Sequence, residues 1–146
     1  MNKMFDDDLE FWKSVEKEFA KRLLKFDIRD LQFAWGDFKD WDIKATFMIG
    51  WKPVDVTYEV KCDTVFTRTN EVWIEFQYDW MASGIFRSKA DCIVYKLGDK
   101  FWCVDRAKLL VYLTHGEKTY KSGWDGWKSE LWVIPSEEFY KLGKEI

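Results

Sequence analysis

Asp42, Glu59 and Lys61 are two carboxylates and an amine set into a region whose hydropathy alternates residue by residue. In 41–49 the odd positions are apolar (Trp41, Ile43, Ala45, Phe47, Ile49). In 54–62 the even positions are (Val54, Val56, Tyr58, Val60, Cys62), and "GWKP" lies between the two runs. Such alternation marks half-buried strands, and the short join marks a hairpin. With the hairpin centred on Trp51–Lys52, Asp42 faces Lys61, Lys44 faces Glu59 and Ile43 faces Val60. Both apolar sets then share one side of the ribbon, and Asp42, Glu59 and Lys61 share the other. Opposed side chains stand about 5 Å apart and diagonal ones about 7 Å. Carboxylates that close repel, and each raises the other's pKa unless a cation lies between them. Oxygen donors of this kind suit Mg²⁺ or Mn²⁺, with water and phosphate completing the shell. A lysine beside such an ion can orient or deprotonate an attacking water, or neutralise charge growing on phosphorus. The chemistry these groups could do is metal-assisted phosphodiester hydrolysis. The other reading of the same residues is a wetted hairpin face carrying ordinary cross-strand ion pairs.

The elements that must position these groups follow from the periods on either side. Residues 5–26 predict an amphipathic helix, with Leu9, Trp12, Val15, Phe19, Leu23 and Phe26 at three- and four-residue steps. Asp6 to Asp8 at its start and Lys21, Arg22 and Lys25 at its end suit the helix dipole and need no functional role. A third alternating run, 72–78, predicts a strand with Glu75 on its polar face. "SGIFRSKAD" (83–91) predicts a short helix, braced or capped by Ser83 and Ser88. "CIVYKLGDKFWCVD" (92–105) predicts two strands about a Gly98–Asp99 turn. A helix over 105–113 ending near His115, a Gly- and Trp-rich loop, a strand "LWVIP" and a short helix capped by Ser136 complete the chain. Helix, three strands, helix and strands in that order predict an α/β sandwich, a mixed sheet flanked by helices.

Composition narrows the function. At 146 residues the chain predicts a single domain, 1–146. Nothing in it approaches the roughly 20 apolar residues that span a bilayer, and its first residues carry neither signal nor transit pattern, so no membrane partner is expected. Cys62, Cys92 and Cys103 are widely spaced and make no CxxC or disulfide framework, which predicts thiols in a reducing cytoplasm. A lone histidine, His115, and the absence of GxSxG exclude a multi-histidine zinc site and a nucleophile-elbow triad. The net charge of −3 counts against a large nucleic-acid footprint, though not against a local basic rim around an ion. Of the tryptophans, Trp12, Trp41 and Trp132 fall on apolar faces, whereas Trp124 and Trp127 in the late loop are candidates for substrate contact.

"WDIK" followed by "EVKCD" resembles the PD-(D/E)xK nuclease superfamily, in which an acid opens one strand and a (D/E)xK tripeptide lies on the next. The resemblance, closest to phage and prokaryotic members, continues through "TRTNEVWIEFQY", "SGIFRSKAD", "CIVYKLG" and "GWDGWKSELWVIP", and covers roughly residues 10–140. It implies a restriction-endonuclease-like fold with an αβββαβ core. It implies Asp42 and Glu59 as metal carboxylates, the Val60 carbonyl as a further ligand, and Lys61 as the catalytic lysine. Many members add an acid from the first helix, which implies Glu16, turned toward the sheet, rather than Glu18. Glu75 becomes a candidate for metal or water positioning, or a cross-strand partner for a basic residue. Arg68, Arg87 and Lys89 become candidates for phosphate contacts. Two departures stand out: "TRTNE" replaces a TGN-like turn, and Asp40 or Asp55 could supply the first acid in place of Asp42. Asp55, on the strand of Glu59, is about 13 Å from it. The implied activity is a Mg²⁺- or Mn²⁺-dependent DNA endonuclease of a phage, acting in recombination or repair, as a homodimer because two cuts need two chains. The alternative is a non-catalytic nucleic-acid- or protein-binding module on the same fold, such as a phage inhibitor protein.

Overall fold

The structure, a computed structural model, describes residues 3–34, 40–62, 69–78, 81–122 and 129–146, with side chains from residue 13 onward and without that of Ser122. Helix α1 (Lys3–Leu23) is followed by β1 (Ile28–Phe33), β2 (Ile43–Ile49) and β3 (Lys52–Cys62), which form an antiparallel meander. Next come β4 (Glu71–Tyr78), β5 (Met81–Ala82) and the short α2 (Gly84–Arg87), then β6 (Cys92–Leu97), which pairs parallel with β3. Strand β7 (Lys100–Asp105) returns antiparallel to β6. Helix α3 (Arg106–His115), β8 (Thr119–Ser122), β9 (Ser129–Pro135), α4 (Ser136–Tyr140) and β10 (Gly143–Glu145) follow. The described strands form a six-stranded mixed sheet, β1-β2-β3-β6-β7-β10, and a four-stranded antiparallel sheet, β5-β4-β9-β8. The fold is therefore α/β, a mixed sheet flanked by helices. With β4 and β5 set apart in the smaller sheet, α1-β1-β2-β3 and then α2-β6, with β6 parallel to β3, make the αβββαβ core that the sequence resemblance implies. No described helix is long and apolar enough to cross a membrane.

Alternation along the strands assigns each face of the large sheet to its own core. Val15, Phe19, Ala20 and Leu23 of α1 bury against Ile43, Ala45, Tyr58, Val60, Val94 and Phe101. The ring of Phe19 meets Tyr58 edge-on at 5.3 Å and Phe101 at 5.5 Å. On the opposite face Ile93, Tyr95, Leu97 and Val104 pack with Val72 and Ile74 of β4, Ile134 of β9, and Leu109, Leu113 and Phe139 of the later helices. Glu59 and Lys61 pair with Ile93 and Tyr95 across the parallel ladder, so they point to this second face.

Three expectations need correction. The hairpin turns on Gly50–Trp51, not Trp51–Lys52: Ile49 pairs with Lys52 and Ile43 with Tyr58. Gly50, the first residue of the two-residue loop, holds φ at +66°, which glycine adopts without a steric penalty. The resulting slip is two residues, so every side chain keeps its face; Asp42 comes level with Glu59 rather than Lys61, and Lys44 pairs with Thr57. Second, the 72–78 strand belongs to the smaller sheet, and the third strand of the meander is 28–33. Its adjacent charged residues Arg29 and Asp30, at an irregularity in the ladder, break the alternation that would have marked it. Third, Ser136 is the buried first residue of α4 rather than its cap, and the residue in the capping position is Pro135.

Candidate active site

The site forms where β2 leaves β3. Asp42 is the last residue held in the ladder on both sides: its N–H donates to the Tyr58 carbonyl (2.8 Å) and its carbonyl accepts from Ala34 N–H (2.9 Å). The β2–β3 pairing ends at Ile43 and Tyr58, and among the described residues no other strand pairs that edge of β3. The Asp42 carboxylate fills that gap, its Oδ2 accepting the Val60 N–H at 2.7 Å. Asp42 is buried, and a buried carboxylate is tolerable when it accepts hydrogen bonds of this charge-assisted kind. Val60 is the middle residue of Glu59-Val60-Lys61, so one hydrogen bond ties the acid of β2 to the tripeptide of β3. The N–H and C=O of a strand residue point to the same side, so the Val60 carbonyl faces this same fork.

Glu59 and Lys61 flank Val60 on the other sheet face. Their charged groups make a loose ion pair, Lys61 Nζ to Glu59 Oε1 at 3.9 Å, with the glutamate side chain 15% exposed and the lysine 38%. Glu59 Oε2 is a buried oxygen. The strand carrying them is clamped by Asp91, just before β6: its Oδ2 accepts both the Thr57 N–H (2.9 Å) and the Thr57 hydroxyl (3.1 Å), while its N–H donates to Thr57 Oγ1 (2.9 Å). This clamp was not anticipated, although "SKAD" was part of the motif series.

Glu16 is buried on the inner side of α1, as its helical position suggests. Glu18 does not simply point away; Lys96 Nζ of β6 donates to its Oε2 at 2.8 Å. Among the described residues no three His, Cys, Asp or Glu side chains gather into a metal-binding group. The donors that remain are two carboxylates and a backbone carbonyl, all hard oxygens. That set fits Mg²⁺ or Mn²⁺, which are commonly held by one or two carboxylates with several waters retained.

Glu75 is held by hydroxyls. It lies on the smaller sheet, where its two carboxylate oxygens accept hydroxyls from Ser83 and Ser129, each at 2.9 Å. Ser83 therefore braces α2 through Glu75 and makes no side-chain capping bond. Ser88 accepts the Ala90 N–H through its hydroxyl. The other two candidate first acids are engaged elsewhere: Asp55 Oδ1 accepts the Thr46 hydroxyl at 2.6 Å, and Asp40 lies 4.0 Å from Lys89 Nζ. The Lys89 N–H also donates to the Asp40 carbonyl (3.1 Å), which brings the α2–β6 connection, with exposed Arg87 and Lys89, alongside the entry to Asp42. Arg68, Trp124 and Trp127 lie outside the described residues, as does the side chain of Trp12.

No protein-family model and no curated protein matches the chain. A solved structure similar to it is that of D212, a nuclease from a fusselovirus, at 16% sequence identity and a TM-score of 0.41, covering 87% of this chain and 77% of D212.

Proposed function

We propose that this chain is a metal-dependent DNA endonuclease with its active centre at the β2–β3 fork. The observation that carries this reading is the hydrogen bond from Val60 N–H to the buried Asp42 carboxylate. It joins the isolated acid to the Glu-Val-Lys tripeptide in one constellation, which an ordinary wetted hairpin face would not require. Asp42, Glu59 and the Val60 carbonyl would hold Mg²⁺ or Mn²⁺. When bound, the ion would acidify a water and offset negative charge on the phosphodiester. Lys61, partly exposed at the rim and paired with Glu59, is positioned to orient the attacking water or to neutralise a phosphate oxygen. Water adds to phosphorus as the bond to the 3′ oxygen breaks in line. Arg87 and Lys89 contact neighbouring phosphates. Cutting two strands calls for two copies, so a homodimer acting on branched or recombining DNA of a phage is the setting we favour.

The test is cleavage of labelled duplex, single-stranded and four-way-branched DNA with Mg²⁺, Mn²⁺ or chelator. Wild type is expected to cut at least one of them in a metal-dependent way. Lys61→Met is expected to lose roughly 10²–10⁴-fold in rate, and Glu59→Gln to stop cutting while binding DNA undiminished. Wild type that binds DNA but cuts none of the three substrates would instead make this a binding module on the same fold.

A further inference from the structure

At the edge of the core between the two sheets, the apolar filling comes to the surface as a cluster of rings. Phe76 of β4 and Trp132 of β9 stack with centroids 5.1 Å apart and planes 22° apart, forming a half-buried floor. Phe86 of α2 stands steeply on Phe76 (5.6 Å, 67°), and Tyr120 of β8 stands steeply on Trp132 (5.8 Å, 67°). These two outer rings are 56% and 49% exposed. The Tyr120 hydroxyl donates to Glu130 Oε1 at 2.8 Å, which fixes that ring's orientation. Lys118 Nζ lies 5.2 Å over the Trp132 ring. From Phe86 the chain runs through Arg87 to Lys89, whose N–H meets the Asp40 carbonyl two residues before Asp42.

We infer that Phe86 and Tyr120, on their Phe76–Trp132 floor, are a stacking platform for unpaired bases of a nucleic acid strand whose backbone continues past Arg87 and Lys89 toward the β2–β3 fork. This deepens, and rests on, the nuclease reading. Paired bases already have their faces covered by neighbours in the duplex, whereas unpaired bases offer both, and stacking on an aromatic ring tolerates any sequence. Charge selects the same partner. A chain of net charge −3 cannot draw much affinity from a long phosphate track, so exposed rings with a few flanking cations are the economical way to hold a strand. The substrate class is single-stranded DNA or DNA with an unpaired segment, such as a flap or an open junction.

Binding of a fluorescein-labelled twelve-nucleotide thymidine strand, in chelator so that nothing is cut, tests this. Wild type is expected to bind it more tightly than a blunt duplex of equal length. The plot of log affinity against log salt should be shallow, with a slope of roughly −2 for three cations on a single strand. Phe86→Leu/Tyr120→Leu, which keeps apolar bulk without rings, is expected to weaken single-strand binding about tenfold or more and leave duplex binding unchanged. Should that double variant lose its fold by circular dichroism, photocrosslinking of a 5-iodouracil strand to wild type decides: adducts on Phe86, Tyr120 or Trp132 support the platform, and adducts only elsewhere overturn it. Unchanged single-strand affinity in the folded double variant, a preference for duplex in wild type, or a dimer that the double variant dissociates without altering strand affinity each overturn it too. Cleavage is scored separately. A wild type that binds through these rings yet cuts nothing removes the nuclease reading alone, and one that cuts while the ring variant binds normally removes the platform alone.

Discussion

The Asp42 carboxylate has two tasks that substitution can separate. It accepts the Val60 N–H, which completes the end of the sheet, and its charge faces the fork. Asn keeps an acceptor of the same shape, so Asp42→Asn is expected to stay within about 1 kcal/mol of wild type in urea unfolding while abolishing metal-dependent cleavage. Asp42→Ala, which strands a buried N–H, is expected to cost about 1–3 kcal/mol as well. Equal stability of the two variants would show that the bond to Val60 contributes nothing. Glu75 makes the opposite case. With both oxygens taken by Ser83 and Ser129, Glu75→Ala leaves two hydroxyls without their acceptor and is expected to cost about 2 kcal/mol, with the rate per folded molecule unchanged. A fall in rate at full stability would return Glu75 to the chemistry. At this scale the common face of Glu59 and Lys61 was legible, because strand parity alone sets it. The hydrogen bonds around them were not, because Ser83 and Ser129 on Glu75, Asp91 on Thr57 and the Val60 N–H on Asp42 meet only in the folded chain.

Among elements, two glycines separate conformational cost from steric cost. Gly50 turns the β2–β3 hairpin at φ +66° with open space where a Cβ would stand, whereas Gly84 starts α2 at φ +49° with its backbone against the Glu75 carbonyl oxygen. Gly50→Ala is therefore expected to cost about 1 kcal/mol. Gly84→Ala is expected to cost more, since a Cβ there overlaps Glu75, and also to loosen Arg87 and Lys89. Denaturant midpoints of the two variants check the order. The elements themselves were largely legible: α1, β2, β3, β4, β6, β7, α3 and β9 all follow from period and punctuation. Strand 28–33 escaped because charge interrupts its pattern, and β10, Gly143–Glu145, because three residues carry no period. The hairpin register slipped by two because "GWKP" offers more than one turn, and only Gly50's positive φ decides among them. That β4 pairs with β9 instead of joining the meander is a long-range choice that no local pattern encodes.

For the molecule as a whole, two cores share the six-stranded sheet, and Tyr58 sits in the α1 side of it. Burial first, with lesser electrostatic contributions from neighbouring Cys103, Cys92 and Asp91, pushes its phenol well above the ordinary value of 10.0. The folded state thus holds this proton more tightly than the unfolded chain does. The associated stability is intact below about pH 10 and is lost as pH climbs from there toward the folded value. Urea unfolding at pH 8 and at pH 10.5 should show a drop for wild type and a smaller one for Tyr58→Phe; equal drops would mean the phenol is not the group responsible. The parallel union of β3 and β6 also bears on when the proposed site is completed. A growing polypeptide exposes Glu59 and Lys61 early in translation, but the clamp from Asp91 and the β6 neighbour emerge only later, after β4, β5 and α2 have left the ribosome. On the proposed nuclease reading, hydrolytic capacity would therefore arrive with the later part of the polypeptide, and a product cut short before β6 would cut no DNA.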